Sequence, residues 1–471
     1  MVSFILSLVL LIVGYIIYGK FVDKTFGTDD NFETPAKTIN DGVDYMPMDW
    51  KKIFLIQLLN IAGLGPIFGA IAGALWGPAA FVWIVLGCIF IGSVHDYFTG
   101  VLSIRNNGAS VAELVGKYLG EWPRKIMLVF SVVLLVLVGV VFLTGPADLL
   151  KTLTGIDRKV FIAVIIIYYI AATVLPVDKL IGKIYPIFGL CLLVMALGIG
   201  VGIIAKGYNI PEFNFQNLHP SGSPIMPFLC ITIACGAVSG FHATQSPIMA
   251  RCVPKESDSR KIFYGAMIAE GVIALVWAAA AMSFFGSTGG LQEAIDTQGG
   301  AAGIVNIISN TVLGKVGAVL AILGVVACPI TSGDTAFRSA RLTIADSFKI
   351  DQKKVSSRFK IAIPLFIVGF ALTFINFQVI WRYFSWSNQT LAMIMLWTAS
   401  AYMALKRKNY WITTLPAVFM SYVTCAYILQ AKEGFRLPAT FSNIAGIIFA
   451  IVLFVLFISY TKKMDKDADE A

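Results

Sequence analysis

The sequence predicts an all-α polytopic membrane protein of about 13 transmembrane helices, arranged as two five-helix units of opposite orientation around two discontinuous helices. Three observations predict it. The first is composition: 58% of the 471 residues are hydrophobic and 13% charged, with a mean hydropathy of +0.80, where a soluble domain carries about 25% charged residues. The second is a succession of apolar runs of about 20 residues, each enough to cross roughly 30 Å of hydrocarbon. They start near Val2, Ile53, Ala79, Lys125, Lys159, Lys183, Ile225, Phe263, Leu313, Phe359, Tyr383, Trp411 and Phe441. The third is that two of these runs are broken in mid-course by glycine and proline.

The run from Val2 has no basic leader and no small-x-small cleavage site, so it reads as a retained anchor. Starting outside and crossing thirteen times puts 28 of the 36 Lys and Arg residues on the cytosolic side, the asymmetry that the positive-inside rule demands. The N-terminus is thus expected outside and the C-terminus in the cytosol, with the protein in the cytoplasmic (inner) membrane. The net charge of +9 then reports topology and contact with anionic lipid. It requires no nucleic acid, not even at residues 337 to 360, the most basic inner loop. Seven cysteines without CxxC spacing, six of them within spans, read as small packing residues. With three histidines, no HExxH and no GxxxxGK[ST], neither a metal-dependent enzyme nor direct ATP hydrolysis is expected.

The first break lies in NIAGLGPIFGAIAGALWGP, residues 60 to 78, and the second in PIMPFLCITIACGAVSGFHATQSPIMARCVP, residues 224 to 254, at Gly236, Ser239, Gly240, His242 and Pro247. Proline lacks the amide donor and glycine weakens a helix, and freed backbone groups in lipid need partners. Five spans' worth of chain separates the breaks, so the two interrupted helices run in opposite directions. The expected division is 1–52 as anchor and cytosolic loop, 53–206 as the first five-helix repeat, 207–405 as the inverted second, and 406–471 as two further helices and a tail. Inverted pairs of discontinuous helices are a recurring transporter architecture, in which half-helix N-termini meet anionic substrates. Gly63, Gly65 and Pro66 let the chain stop and restart, while Gly65, Gly69, Gly73 and Gly77 also form a small-xxx-small stripe suited to close packing.

Ionisable groups inside a bilayer cost roughly 2.5 to 3.5 kcal/mol on insertion scales and are functional candidates. Those in spans here are His95, Asp96, His242, Glu270 and Asp334. His95 and Asp96 are adjacent and expected to face different directions, one into the bundle and one to the inner water boundary, as a proton relay or a structural anchor. All but His242 are expected in the cytosolic half. Asp334 either joins a cation site or pairs with Arg338 one turn on. Asn60, Gly63, Gly65 and Pro66 at the first break, with Ser239, Gly240, Phe241, His242, Gln245 and Ser246 at the second, supply the mix of donors and aromatic wall expected of a small-ligand site. Asn388 and Gln389 either fasten their helix to the core or face the permeation path.

Six stretches, TPAKTINDGVDYMPMDWKK (34–52), IAGLGPIFG (61–69), GSVHDYFTG (92–100), ITIACGAVSGFHATQSP (231–247), TSGDTAFRSARLTIAD (331–346) and WRYFSWSNQTLA (381–392), resemble the carbon starvation protein A (CstA) family in consistent order over residues 34 to 392. The resemblance implies an inner-membrane transporter of pyruvate or peptides in nutrient limitation, with a leucine-transporter-like 5+5 inverted repeat. It also likens Thr331 and Ser332 to the sodium-binding hydroxyl pair of that fold, an all-oxygen site for a hard cation, although Ser and Thr also bond their own helix backbone. Leu64 stands where many members carry a small residue, a bulkier wall for the expected pocket. The reading is therefore a secondary active symporter of a small organic acid or peptide, coupled to sodium or protons and needing no cofactor. Its rivals are a membrane enzyme using His95, Asp96 and Glu270, and a nutrient receptor or channel.

Overall fold

A computed structural model describes residues 1–42, 44–173, 178–214, 216–350, 352 and 354–469. Among them every regular element is a helix. Among the described residues nine helices are long and apolar enough to cross a membrane, and the pair Trp50–Ile61 and Gly65–Trp76, bent by 50°, makes a tenth crossing. The other three expected crossings fall on Arg158–Ala172, only 15 residues long, on the interrupted Ile225–Ala250, and on the 29-residue Phe377–Leu405. Ten of the thirteen therefore stand on length and composition alone.

Burial sorts the crossings. The apolar windows of Ala79–Arg105 and Glu256–Phe284 are 83% buried, those of Val2–Phe26 and Ala439–Lys462 only 22%. The first two form the interior and the last two face lipid. The span expected from Leu313 starts after a kink at Gly314, which sets the helix before it apart. Most of the segment read as a basic loop, 337–360, is instead helix, because Cys328–Ser347 continues past the apolar run and Val355–Leu372 begins early.

Contacts between connecting segments respect the alternation of sides. At one end the Tyr45 hydroxyl donates to the Asn107 carbonyl (3.1 Å), Arg105 pairs with the buried Glu256, and Lys408 donates to the Phe26 carbonyl. At the other, Trp76 donates to the Ser223 carbonyl (2.9 Å), Thr288 to that of Leu218 (2.7 Å) and Lys206 to that of Thr311 (2.6 Å). Each pair joins segments that the thirteen-crossing topology places on one side.

At the first of these ends the segment after the N-terminal helix clasps the start of the helix bearing Glu256. The Asp29 amide donates to Glu256 (2.7 Å), and the Asp30 carboxylate accepts from the Ser257 amide (2.9 Å) and hydroxyl (2.8 Å). Those donors hold Asp30 below the ordinary carboxylate range. A lowered value in the folded state means that the clasp is fully present above the ordinary range, about pH 3.9, and is lost as pH falls through the lowered one. Hydrogen exchange at residues 28 to 33 should accordingly stay constant from neutral pH down to about 4 after correction for intrinsic rates, and rise only below it.

Candidate functional site

The first helix stops at Ile61, and Ala62 leaves helical geometry (φ −89°, ψ 49°). A new helix starts at Gly65 with Pro66 in its first turn, where a missing amide leaves nothing orphaned. In the second broken span the chain loses helix after Thr232 and regains it at His242. The interruption is therefore 233–241, shorter than expected: Pro247 lies inside the following helix, and His242 is the first residue of it rather than part of the break. Gly236, at φ +91°, occupies the left-handed region that a side chain disfavours.

The two breaks pack directly on each other. A Cβ on Gly65 would lie 2.2 Å from the Cβ of Cys235, one on Gly69 3.1 Å from the Thr232 carbonyl, and one on Gly73 2.3 Å from Ile233, while Gly236 faces Pro66 at 3.5 Å. Gly77 leaves this stripe and meets Leu218 instead. Leu64 does not wall a pocket: it is fully buried and fills the notch at Gly145, where a Cβ would come within 2.3 Å of it. Phe142 bridges the breaks, its ring edge-on to Phe241 at 6.2 Å and against Gly63.

The freed backbone of 233–241 finds its partners on helix Phe377–Leu405. Asn388 Oδ1 accepts from the Phe241 amide (2.6 Å), the Asn388 carbonyl accepts from the Gly240 amide (3.1 Å), and Asn388 Nδ2 donates to Ser239 (3.1 Å). Gln389 Nε2 donates to the carbonyls of Cys230 (3.0 Å) and Val238 (3.2 Å). Of the two readings of these amides, the structure has them fastening the helix to the core. Ser239 and Gly240 are consequently engaged by Asn388, and a Cβ on Gly240 would sit 2.2 Å from its carbonyl. Ser246 accepts from the buried Gln57 (3.1 Å), and Gln245 donates to Thr244 (2.9 Å). Asn60, 5% exposed, sits just before the first break.

Four ionisable side chains, all fully buried, join into one chain of contacts. The two oxygens of Asp96 lie 2.8 Å from Nδ1 of His95 and 2.7 Å from Nδ1 of His242, and Nε2 of His242 lies 3.3 Å from Glu270. His95 and Asp96 thus do not diverge. Although adjacent on the helix Ser93–Arg105, their side chains bend toward each other, because His242 fixes the carboxylate between two imidazoles. Nor do His95, Asp96 and Glu270 lie apart from His242 in an inner half, since all four meet beside the second break. Cys235, His242 and Glu270 bring one metal-ligating atom each within 4.8 Å. The Cys235 thiol, however, accepts from Asn388 Nδ2 (3.4 Å), and the His242–Glu270 separation is that of a hydrogen bond in the making.

Of the expected cation group, Thr331 donates to the Cys328 carbonyl (2.7 Å), and Asp334 pairs with Arg338 at 3.5 Å as the local reading anticipated. Cys328 meets the Leu59 carbonyl (3.8 Å) at the end of the first half-helix. Ser332, 1% exposed, stands one turn further on the same face, so this pair adjoins the first break while the ionisable chain adjoins the second. Sequence reasoning missed Phe142, Gln57 and Cys235 as parts of the centre. Only the polar Gln57 in an apolar run offered a signal.

The profile of the carbon starvation protein CstA family matches residues 1–150, 144–296 and 279–427. The chain belongs to the CstA family. A CstA-family chain of this kind has a relative in a membrane protein of Haemophilus influenzae, 46% identical over 349 residues, covering 63% of this chain and 94% of that one. The peptide transporter CstA of Bacillus subtilis is 27% identical over 344 residues (59% of this chain, 57% of the other), and the pyruvate/proton symporter BtsT of Escherichia coli 25% over 334 residues (56% and 46%). The chain thus spans about half the length of these two transporters. Among solved structures it is similar to a mutant of the manganese transporter of Eremococcus coleocola (TM-score 0.56, 13% identity, 90% of this chain and 99% of that one) and to a Na+-coupled sialic acid symporter (0.51, 13%, 96% of each). These likenesses establish the leucine-transporter-like fold expected of this CstA-family chain.

Proposed function

We propose that this chain is a secondary active symporter that imports a small organic acid or short peptide across the cytoplasmic membrane, driven by a cation gradient. The observation that carries the reading is the meeting of two broken helices in the protein interior, with buried ionisable groups on one side and a hydroxyl pair on the other. Such a centre couples two solutes because proton or cation and substrate each favour one arrangement of the same breaks. The names of the CstA and BtsT relatives supply the substrate classes, peptide and pyruvate. The distribution of basic residues supports a cytosolic C-terminus, and residues 53–206 and 207–405 are the two halves that would move against each other.

Counterflow in proteoliposomes tests this, with labelled pyruvate and a dipeptide panel under separately imposed sodium and pH gradients. Accumulation of either class under one gradient is the expected result; equilibration without accumulation would make the protein a channel. Converting Thr331 and Ser332 together to alanine should abolish any sodium dependence and leave pH-driven accumulation within about twofold. An unchanged sodium dependence would remove the hydroxyl pair from the site.

A further inference from the structure

Hydrogen-bond accounting at the ionisable chain assigns a place to one proton. A carboxylate only accepts hydrogen bonds. With Asp96 ionised, its two short contacts require that both Nδ1 atoms, of His95 and of His242, carry hydrogen. In a neutral imidazole the other nitrogen is then a bare acceptor, so Nε2 of His242 presents a lone pair to Glu270 at 3.3 Å. Neither Glu270 oxygen receives a formed hydrogen bond; the Gly236 amide and His242 are among the polar groups beside it. An ionised carboxylate that is fully buried with no donor beyond the Gly236 amide beside it is unfavourable. A hydrogen on Glu270 pointing at Nε2 of His242 removes that cost.

We propose that Glu270 on helix Gly265–Phe284 and His242 at the second break together bind the coupling proton of this transporter. The inference deepens the proposed function and rests on it. The other titratable groups facing the pair are Asp96 and His95 from the helix Ser93–Arg105, Cys88 from the turn preceding it, and Cys235 from the break itself. Asp96 fixes the tautomer of His242. Release of the proton leaves a bare carboxylate in a dry site, which is relieved only when the second break opens to water. The loaded pair therefore favours the closed arrangement, and the unloaded pair an open one.

The test is Glu270→Gln, which keeps the shape of the side chain and cannot release a proton. In proteoliposomes carrying labelled pyruvate or an alanyl dipeptide, accumulation driven by a pH gradient should fall by roughly tenfold or more, while counterflow at equal pH falls by less than about threefold. Infrared pH-difference spectra in detergent should show, in the unaltered protein, a protonated-carboxyl band that Glu270→Gln removes. Retained pH-driven accumulation in the variant overturns the proposal. So does the absence of that band, whatever the transport result. Should the unaltered protein move neither probe, the transporter reading fails for those solutes, and the infrared comparison still decides whether Glu270 holds the proton. Should the variant lose counterflow and accumulation alike, the band again decides.

Discussion

Replacing Gly65 with leucine should abolish uptake while the protein still inserts into the membrane. The new Cβ alone would lie 2.2 Å from Cys235, at a point where one half-helix begins and the backbone of the other break passes. Neither side can yield cheaply. Pro66 anchors the first turn of one element, and Asn388 holds Phe241 and Gly240 of the other. Overpacking costs about 1 to 3 kcal/mol in an adaptable core, and here it would separate the two segments that alternate. Gly289→Ala is the control, since its added Cβ meets only the Ser287 hydroxyl, at 3.8 Å. Initial uptake rates normalised to inserted protein read the difference. Normal kinetics in the leucine variant would refute a functional contact between the breaks.

Asp96→Asn should be the most damaging change among the ionisable groups. The carboxylate accepts from two imidazoles at once, whereas an amide offers one acceptor and presents a donor where the second imidazole already points a hydrogen. One histidine must change tautomer or lose its partner in a fully buried site. Leaving a buried hydrogen-bond group unsatisfied costs about 1 to 3 kcal/mol, so the melting temperature should drop by a few degrees. The pH profile of accumulation should shift as well, because His242 would no longer present Nε2 to Glu270 as an acceptor. Thermal unfolding in detergent and accumulation as a function of pH measure the two effects separately. An Asn variant with both unchanged would leave Asp96 without a part in coupling.

Much of the centre was legible in the chain because a break in a helix is a local property. Pro66 removes an amide and Gly63 and Gly65 remove side chains, so the first interruption can be placed to within a residue or two. The second was drawn too long, to Pro247, because proline more often marks a helix end, whereas here it lies inside the helix His242–Ala250. The roles of Asn388 and Gln389 were left open, since an amide in an apolar run shows only that some polar partner exists. The divergence expected for His95 and Asp96 followed from helix geometry about Cα–Cβ directions. It failed because side-chain torsions are set by what arrives from elsewhere, here His242, 146 residues away.

Composition, the run lengths and the glycine and proline positions by themselves determined that this chain lives in a bilayer, that it crosses repeatedly, and where two helices must stop and restart. Those are consequences of transfer free energy and backbone chemistry, which each residue carries with it. Only the tertiary structure decided that the breaks touch, that an asparagine from a distant helix satisfies one of them, and that Glu270 completes a chain from His95 through Asp96 and His242. Hydrogen bonds and charge pairs depend on distance, and the distances between separate helices arise only when the bundle is packed.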